Sequence, residues 1–65
     1  MKVQYFKDTD MLYIEFRPVE IVESRDLDED TVIDLDAKGK ICAMIMEHAR
    51  GRVDVPHFTF EEIAA

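Results

Sequence analysis

Met11-Leu12-Tyr13-Ile14-Glu15-Phe16-Arg17 decides the fold of this chain. Leu12, Ile14 and Phe16 fall on one side of an extended backbone, and Tyr13, Glu15 and Arg17 on the other. A strict period of two is the pattern of a half-buried β-strand, because successive side chains leave a strand on opposite faces. Upstream, residues 2–7 repeat the pattern with Val3 and Tyr5 opposed to Lys2 and Gln4, and Phe6 interrupts the polar side. Between the two runs stands Asp8-Thr9-Asp10, whose short oxygen-bearing side chains bond their own backbone and favour a turn. Residues 2–7 and 11–17 are therefore predicted to form a β-hairpin.

Downstream, Pro18 cannot donate to a ladder and ends the second strand. Val19 to Glu23 is β-prone, but the alternation then fails, and Arg25 to Asp30 is almost wholly charged and reads as a solvated segment. Thr31-Val32-Ile33-Asp34-Leu35 resumes a strand. Asp36-Ala37-Lys38-Gly39 is a four-residue turn in which Gly39 supplies a positive φ. Lys40 to Met46 returns as its partner, apolar enough to suggest burial on both faces, with a sheet beneath and a helix or second subunit above. Glu47 to Arg50 suits a helical turn stopped by Gly51. Thr59 with Glu62 has capping-box spacing, and Phe58 with Ile63 that of a hydrophobic staple, which predicts one helical turn at the C-terminal end. The expected fold class is α+β: a small antiparallel β-meander of about four strands with short C-terminal helical structure, in a single small domain over residues 1–65.

The chain has 65 residues, of which 15 are acidic and 8 basic, for a formal net charge of −7. This length is too short for two cores or an ordinary enzyme scaffold. The negative balance disfavours nucleic acid, whose binding needs cations to displace phosphate counterions. At 48% hydrophobic residues the chain is too apolar for a disordered acidic tail. Cys42, the only cysteine, lies in the apolar run Ile41 to Met46 and reads as a small packed hydrophobe. Met11, Met44 and Met46 read as core filling. Met1 to Tyr5 has no apolar stretch of the signal-peptide kind, and no run approaches the ~18 apolar residues of a membrane span. The expectation is a cytoplasmic protein with no cofactor or metal. Such a small chain buries only about 60% of its surface alone, so a homodimer is expected to supply the rest.

The charge is unevenly placed. Residues 1–19 sum to zero, whereas residues 20–36 carry Glu20, Glu23, Asp26, Asp28, Glu29, Asp30, Asp34 and Asp36 against Arg25 alone, a net of −7. Residues 37–52 are net +3 and residues 53–65 net −3. The acidic segment is either a solvated loop that blunts a sheet edge or a docking surface for a basic protein. Its candidate contact residues are Glu23, Asp26, Asp28, Glu29 and Asp30. Asp34 to Gly39 resembles the start of a calcium loop, but Lys38 and Ile45 stand where that loop needs ligands. His48 and His57 lack the spacing of a metal pair, and no nucleophile accompanies them. A small hydrolase or metal-dependent enzyme would need them to meet carboxylates in a concave site. A purely structural dimerisation module is the third possibility.

Two motifs in order carry a resemblance. Tyr5 followed by Asp8-Thr9-Asp10-Met11-Leu12-Tyr13-Ile14 looks like "Y-D-x-x-x-D-x-L-Y-I". Ile33-Asp34-Leu35-Asp36 with Gly39 and the following apolar strand looks like "V-D-x-D-x-x-G-x-[IV]-x-G-I-E-I". Over roughly residues 1–50 the chain resembles the YuzE-like family, a bacterial and archaeal domain of unknown function numbered 2283, leaving 51–65 as a C-terminal extension. Phe6 stands where that family usually shows Asp, Ala43 for Gly, Ile45 for Glu, His48 for Asn and Arg50 for Ser. The family brings no catalytic residue or cofactor. Its members are often encoded near small basic proteins that resemble RelE-type toxins, which implies an antitoxin-like or partner-binding role.

Overall fold

Strands form where the sequence alternates with period two, where it runs apolar, and once where it does neither. A computed structural model describes all 65 residues. The strands are β1 (Lys2–Phe6), β2 (Met11–Glu15), β3 (Glu23–Asp28), β4 (Thr31–Leu35) and β5 (Ile41–Met46). They form one antiparallel sheet in the order β1-β2-β5-β4-β3. Two predictions are corrected here. There are five strands rather than four, and β5 inserts beside β2, so the sheet is a hairpin joined to a three-stranded meander. The fifth strand is β3, which runs from the end of the β-prone stretch 19–23 into residues 25–30, the stretch read as a solvated segment. It is indeed solvated, for all six residues are exposed, yet its backbone is held by the ladder to β4 and by the Ser24 hydroxyl donating to Asp34 Oδ1 at 2.6 Å.

The α component is also corrected. The only helical element is a 3-10 turn at Ala49–Gly51, shifted from the expected residues 47–50 so that Gly51 lies inside it rather than stopping it, and residues 52–65 contain no helix. The six residues after Thr59 offer too few propagating hydrogen bonds to offset nucleation. Residues 53–59 instead lie along the sheet and wall a groove of about 440 Å³ with Val3, Tyr5, Leu12 and Ile14.

Register assigns the two faces, since directly opposed residues point the same way. One face carries the rows Val3, Ile14, Met44, Ile33 and Tyr5, Leu12, Met46, Thr31. The other carries Gln4, Tyr13, Ile45, Val32, Asp26 and Lys2, Glu15, Ala43, Asp34, Ser24. No helix covers the central strand β5. Its Cys42 and Ala43 are buried while Met44, Ile45 and Met46 remain half-buried. The Cys42 thiol donates to the Asp34 carbonyl at 3.4 Å, as a packed small side chain. The buried apolar set is only Leu12, Leu35, Cys42, Ala43 and Ala49. The molecule measures 36 × 32 × 17 Å, the proportions of one sheet with a partial cover.

The Asp36–Gly39 turn forms as expected, with Gly39 at φ 76° and its N–H donating to the Asp36 carbonyl. Asp36 Oδ1 accepts the N–H groups of Lys38 and Lys40, both at 2.9 Å, and Oδ2 accepts from Arg17 at 2.8 Å. The Arg17 guanidinium and these two N–H groups lower the Asp36 pKa from 3.8 to about 2. A depressed carboxyl pKa stabilises the fold above its unfolded value and loses that contribution as pH falls through the folded value. The stability advantage of the wild type over Asp36→Ala should therefore shrink as pH falls from about 4 to 2. Parallel thermal melts across that range check this, and a constant difference down to pH 2 contradicts it.

Candidate functional site

Part of the acidic segment, β3, is a sheet edge; the rest includes β4, inside the sheet, where Asp34 is buried. β3 pairs with β4 on one side and with no strand on the other, so its outer backbone is open. Glu23, Asp26 and Asp28 lie on it, and Glu29 and Asp30 form the turn into β4. The five are brought into one strand and turn, though they are not equivalent. Glu23 binds Arg25 Nε at 2.6 Å, which lowers its pKa. Asp28 accepts the Asp30 N–H at 2.9 Å and lies 3.7 Å from Arg52, and the Asp30 N–H leads in lowering its pKa. Asp30 is the least exposed of the set and sits 3.5 Å from His48 Nε2. Asp26 and Glu29 have no ion pair or side-chain hydrogen bond.

The end of the sheet that holds this turn collects further polar residues from distant parts of the chain. Tyr5 donates to Asp10 Oδ1 at 2.6 Å, and the same oxygen accepts the Arg50 N–H at 2.9 Å. The Arg50 guanidinium reaches the Tyr5 hydroxyl at 3.2 Å, and the Asp10 carbonyl accepts the Ala49 N–H at 3.0 Å. Donation to a carboxylate raises the Tyr5 pKa, and the Tyr5 hydroxyl, followed by the Arg50 N–H, lowers that of Asp10. Beside them, Arg52 donates to the carbonyls of Asp30 and Glu47 at 2.8 and 3.0 Å and to Thr31 Oγ1 at 2.6 Å. These bonds fasten residues 47–52 onto the β1–β2 and β3–β4 turns. Sequence reading missed the whole constellation except as motif letters, because its members lie up to 45 residues apart.

The histidines do not share a site. His48 is exposed beside Asp30, while His57 is exposed beside Asp54 at 3.1 Å and lines the groove under residues 53–59, which His48 does not. No group of three or more His, Cys, Asp or Glu side chains could hold a metal ion. No helix is long and apolar enough to cross a membrane.

A family model described as a protein of unknown function, DUF2283, matches residues 2–50. The chain belongs to this family. Neither a curated protein nor a solved structure matches it. The DUF2283 span covers all five strands and ends within the 3-10 turn, so residues 53–59, which form one side of the groove, and the tail lie beyond it. Two departures from the motif now have physical readings. His48 sits at φ 54°, a left-handed conformation that Asn tolerates well and His better than most residues. At position 50 the contact to Asp10 is made by the backbone N–H, which any residue but proline supplies.

Proposed function

We propose that this domain is a non-enzymatic protein-binding module whose acidic segment 20–36 docks a basic partner along β3. The observation that carries this reading is an edge strand with every residue exposed in the segment whose net charge equals that of the whole chain. An open edge offers main-chain hydrogen bonds to an added strand, and side-chain charge then selects which strand is accepted. Carboxylates along an edge repel a second copy of themselves and attract lysine and arginine. Asp26 and Glu29, with no internal cation, are the residues free to meet them. An antitoxin-like role is the form of this activity that the family resemblance implies.

The test is affinity capture from the source cells, read by mass spectrometry, with the wild type beside a Glu23→Lys, Asp26→Lys, Glu29→Lys variant. These three positions leave Asp28 and Asp30 to hold the turn. The wild type should retain a basic protein, less so as salt rises. The variant should bind it at least about tenfold more weakly, from three exposed charge contacts at ~0.5 kcal/mol each. Its circular dichroism should match the wild type. Equal retention by both proteins at low and at moderate salt sinks the proposal.

A further inference from the structure

The sheet lacks a full second layer, and an exposed apolar cluster stands at one corner of it. Stable domains bury the apolar side of a sheet against another layer, and here residues 53–59 cover only the β1–β2 corner. At the rim of that corner Met1, Val3, Phe58 and Phe60 line a shallow depression that shares Val3 and Phe58 with the groove. Met1, Phe58 and Phe60 are 71%, 63% and 70% exposed, and Ile63 follows at 74%. Apolar groups clustered at that exposure mark a contact surface rather than scattered surface residues.

We propose that a second copy of this chain seats on this face, forming a two-fold dimer centred on Met1, Val3, Phe58 and Phe60. The exposed area supports that occupant. The chain exposes 5195 Å², whereas a folded monomer of its 7.6 kDa should expose about 4,300 Å². The excess, about 900 Å², is close to the ~800 Å² that each partner contributes to a standard interface. Charge supports it as well. Strand order puts β1 and β3 at opposite edges, so copies meeting at β1 keep their acidic segments out of the contact. Residues 1–19, which include β1, are neutral overall and bring no net charge to the contact. A two-fold contact must be self-complementary, which an apolar patch satisfies without opposed charges.

Sedimentation equilibrium at about 50 µM protein tests this, a concentration well above the micromolar Kd that even a weak interface of standard size reaches. The wild type should show twice the 7.6 kDa chain mass and keep it in ~1 M salt, because burial of apolar surface is not screened. Phe58→Asp with Phe60→Asp should weaken association by about a hundredfold or more, read as that shift in the monomer–dimer midpoint across a dilution series. Both positions lie outside every strand, and an unchanged circular dichroism spectrum shows that the fold is kept. The β3 variant should remain dimeric, so loss of partner docking and loss of this dimer separate cleanly. A wild type sedimenting as a single chain, or a dimer untouched by the double substitution, overturns the proposal.

Discussion

Leu12→Ala is expected to cost about 2–4 kcal/mol and to leave a substantial fraction of the chain unfolded at 37 °C. Leu12 and Leu35 are the only large apolar side chains among the buried residues, the other buried apolar ones being Cys42, Ala43 and Ala49. Leu12 stands between Tyr5 and Met46 in the sheet and forms part of the groove wall under residues 53–59. Its loss would remove a contact from strand, neighbours and cover together. A chain of 65 residues has a total stability of only ~3–10 kcal/mol at ordinary values per residue, so the loss is a large share of the whole. Leu12→Met, which keeps volume, should cost less than about 1.5 kcal/mol. Urea titration of both variants decides the matter. Association would add concentration-dependent stability, so the comparison belongs at one protein concentration or in the Phe58→Asp, Phe60→Asp background. A Leu12→Ala midpoint equal to wild type would mean that this side chain is not part of the core.

The contrast between β2 and β3 explains how much of the structure was legible in the sequence. β1 and β2 could be placed within one or two residues because one face of each is apolar and the period is two, and β4 and β5 because each is a β-prone apolar run bounded by the Asp36–Gly39 turn. Glu23-Ser24-Arg25-Asp26-Leu27-Asp28 has no apolar face, so nothing in its pattern separates a strand from a loop. Its conformation comes from the neighbouring backbone of β4, a non-local cause. The pairing of β2 with β5 is likewise a relation between segments some thirty residues apart, invisible to any local window. At the other extreme, Thr59 and Glu62 have good capping chemistry but no helix to cap. The charge of the candidate site was legible by counting, whereas its position on an open edge was not. Arg52 carried no signal at all, since two of its acceptors are backbone carbonyls, which every residue possesses.

Asp10→Ala should detach the 3-10 turn from the sheet and lower the melting temperature by several degrees. The Asp10 side chain accepts from both Tyr5 and the Arg50 backbone, and its carbonyl holds Ala49, which is fully buried. The backbone at Asp10 is left-handed at φ 54°, where alanine is strained and Asn or Gly is tolerated. Three substitutions therefore separate the causes. Asn keeps both the conformation and an acceptor oxygen, Gly keeps the conformation alone, and Ala keeps neither, so stability should fall in that order. The phenol gives an independent readout. Tyr5 is raised chiefly by donating to the Asp10 carboxylate, so every one of these variants should lower its pKa toward 10.0. Linkage fixes the sign of both limbs. The Asp10 contribution is lost as pH falls through its lowered pKa, and that of Tyr5 is lost as pH rises from about 10 through its raised one. Spectroscopic titration of Tyr5, with hydrogen exchange at Ala49, reads the two effects separately. An unshifted phenol and an Ala49 amide protected equally in all four proteins would show that Asp10 does not fasten the turn.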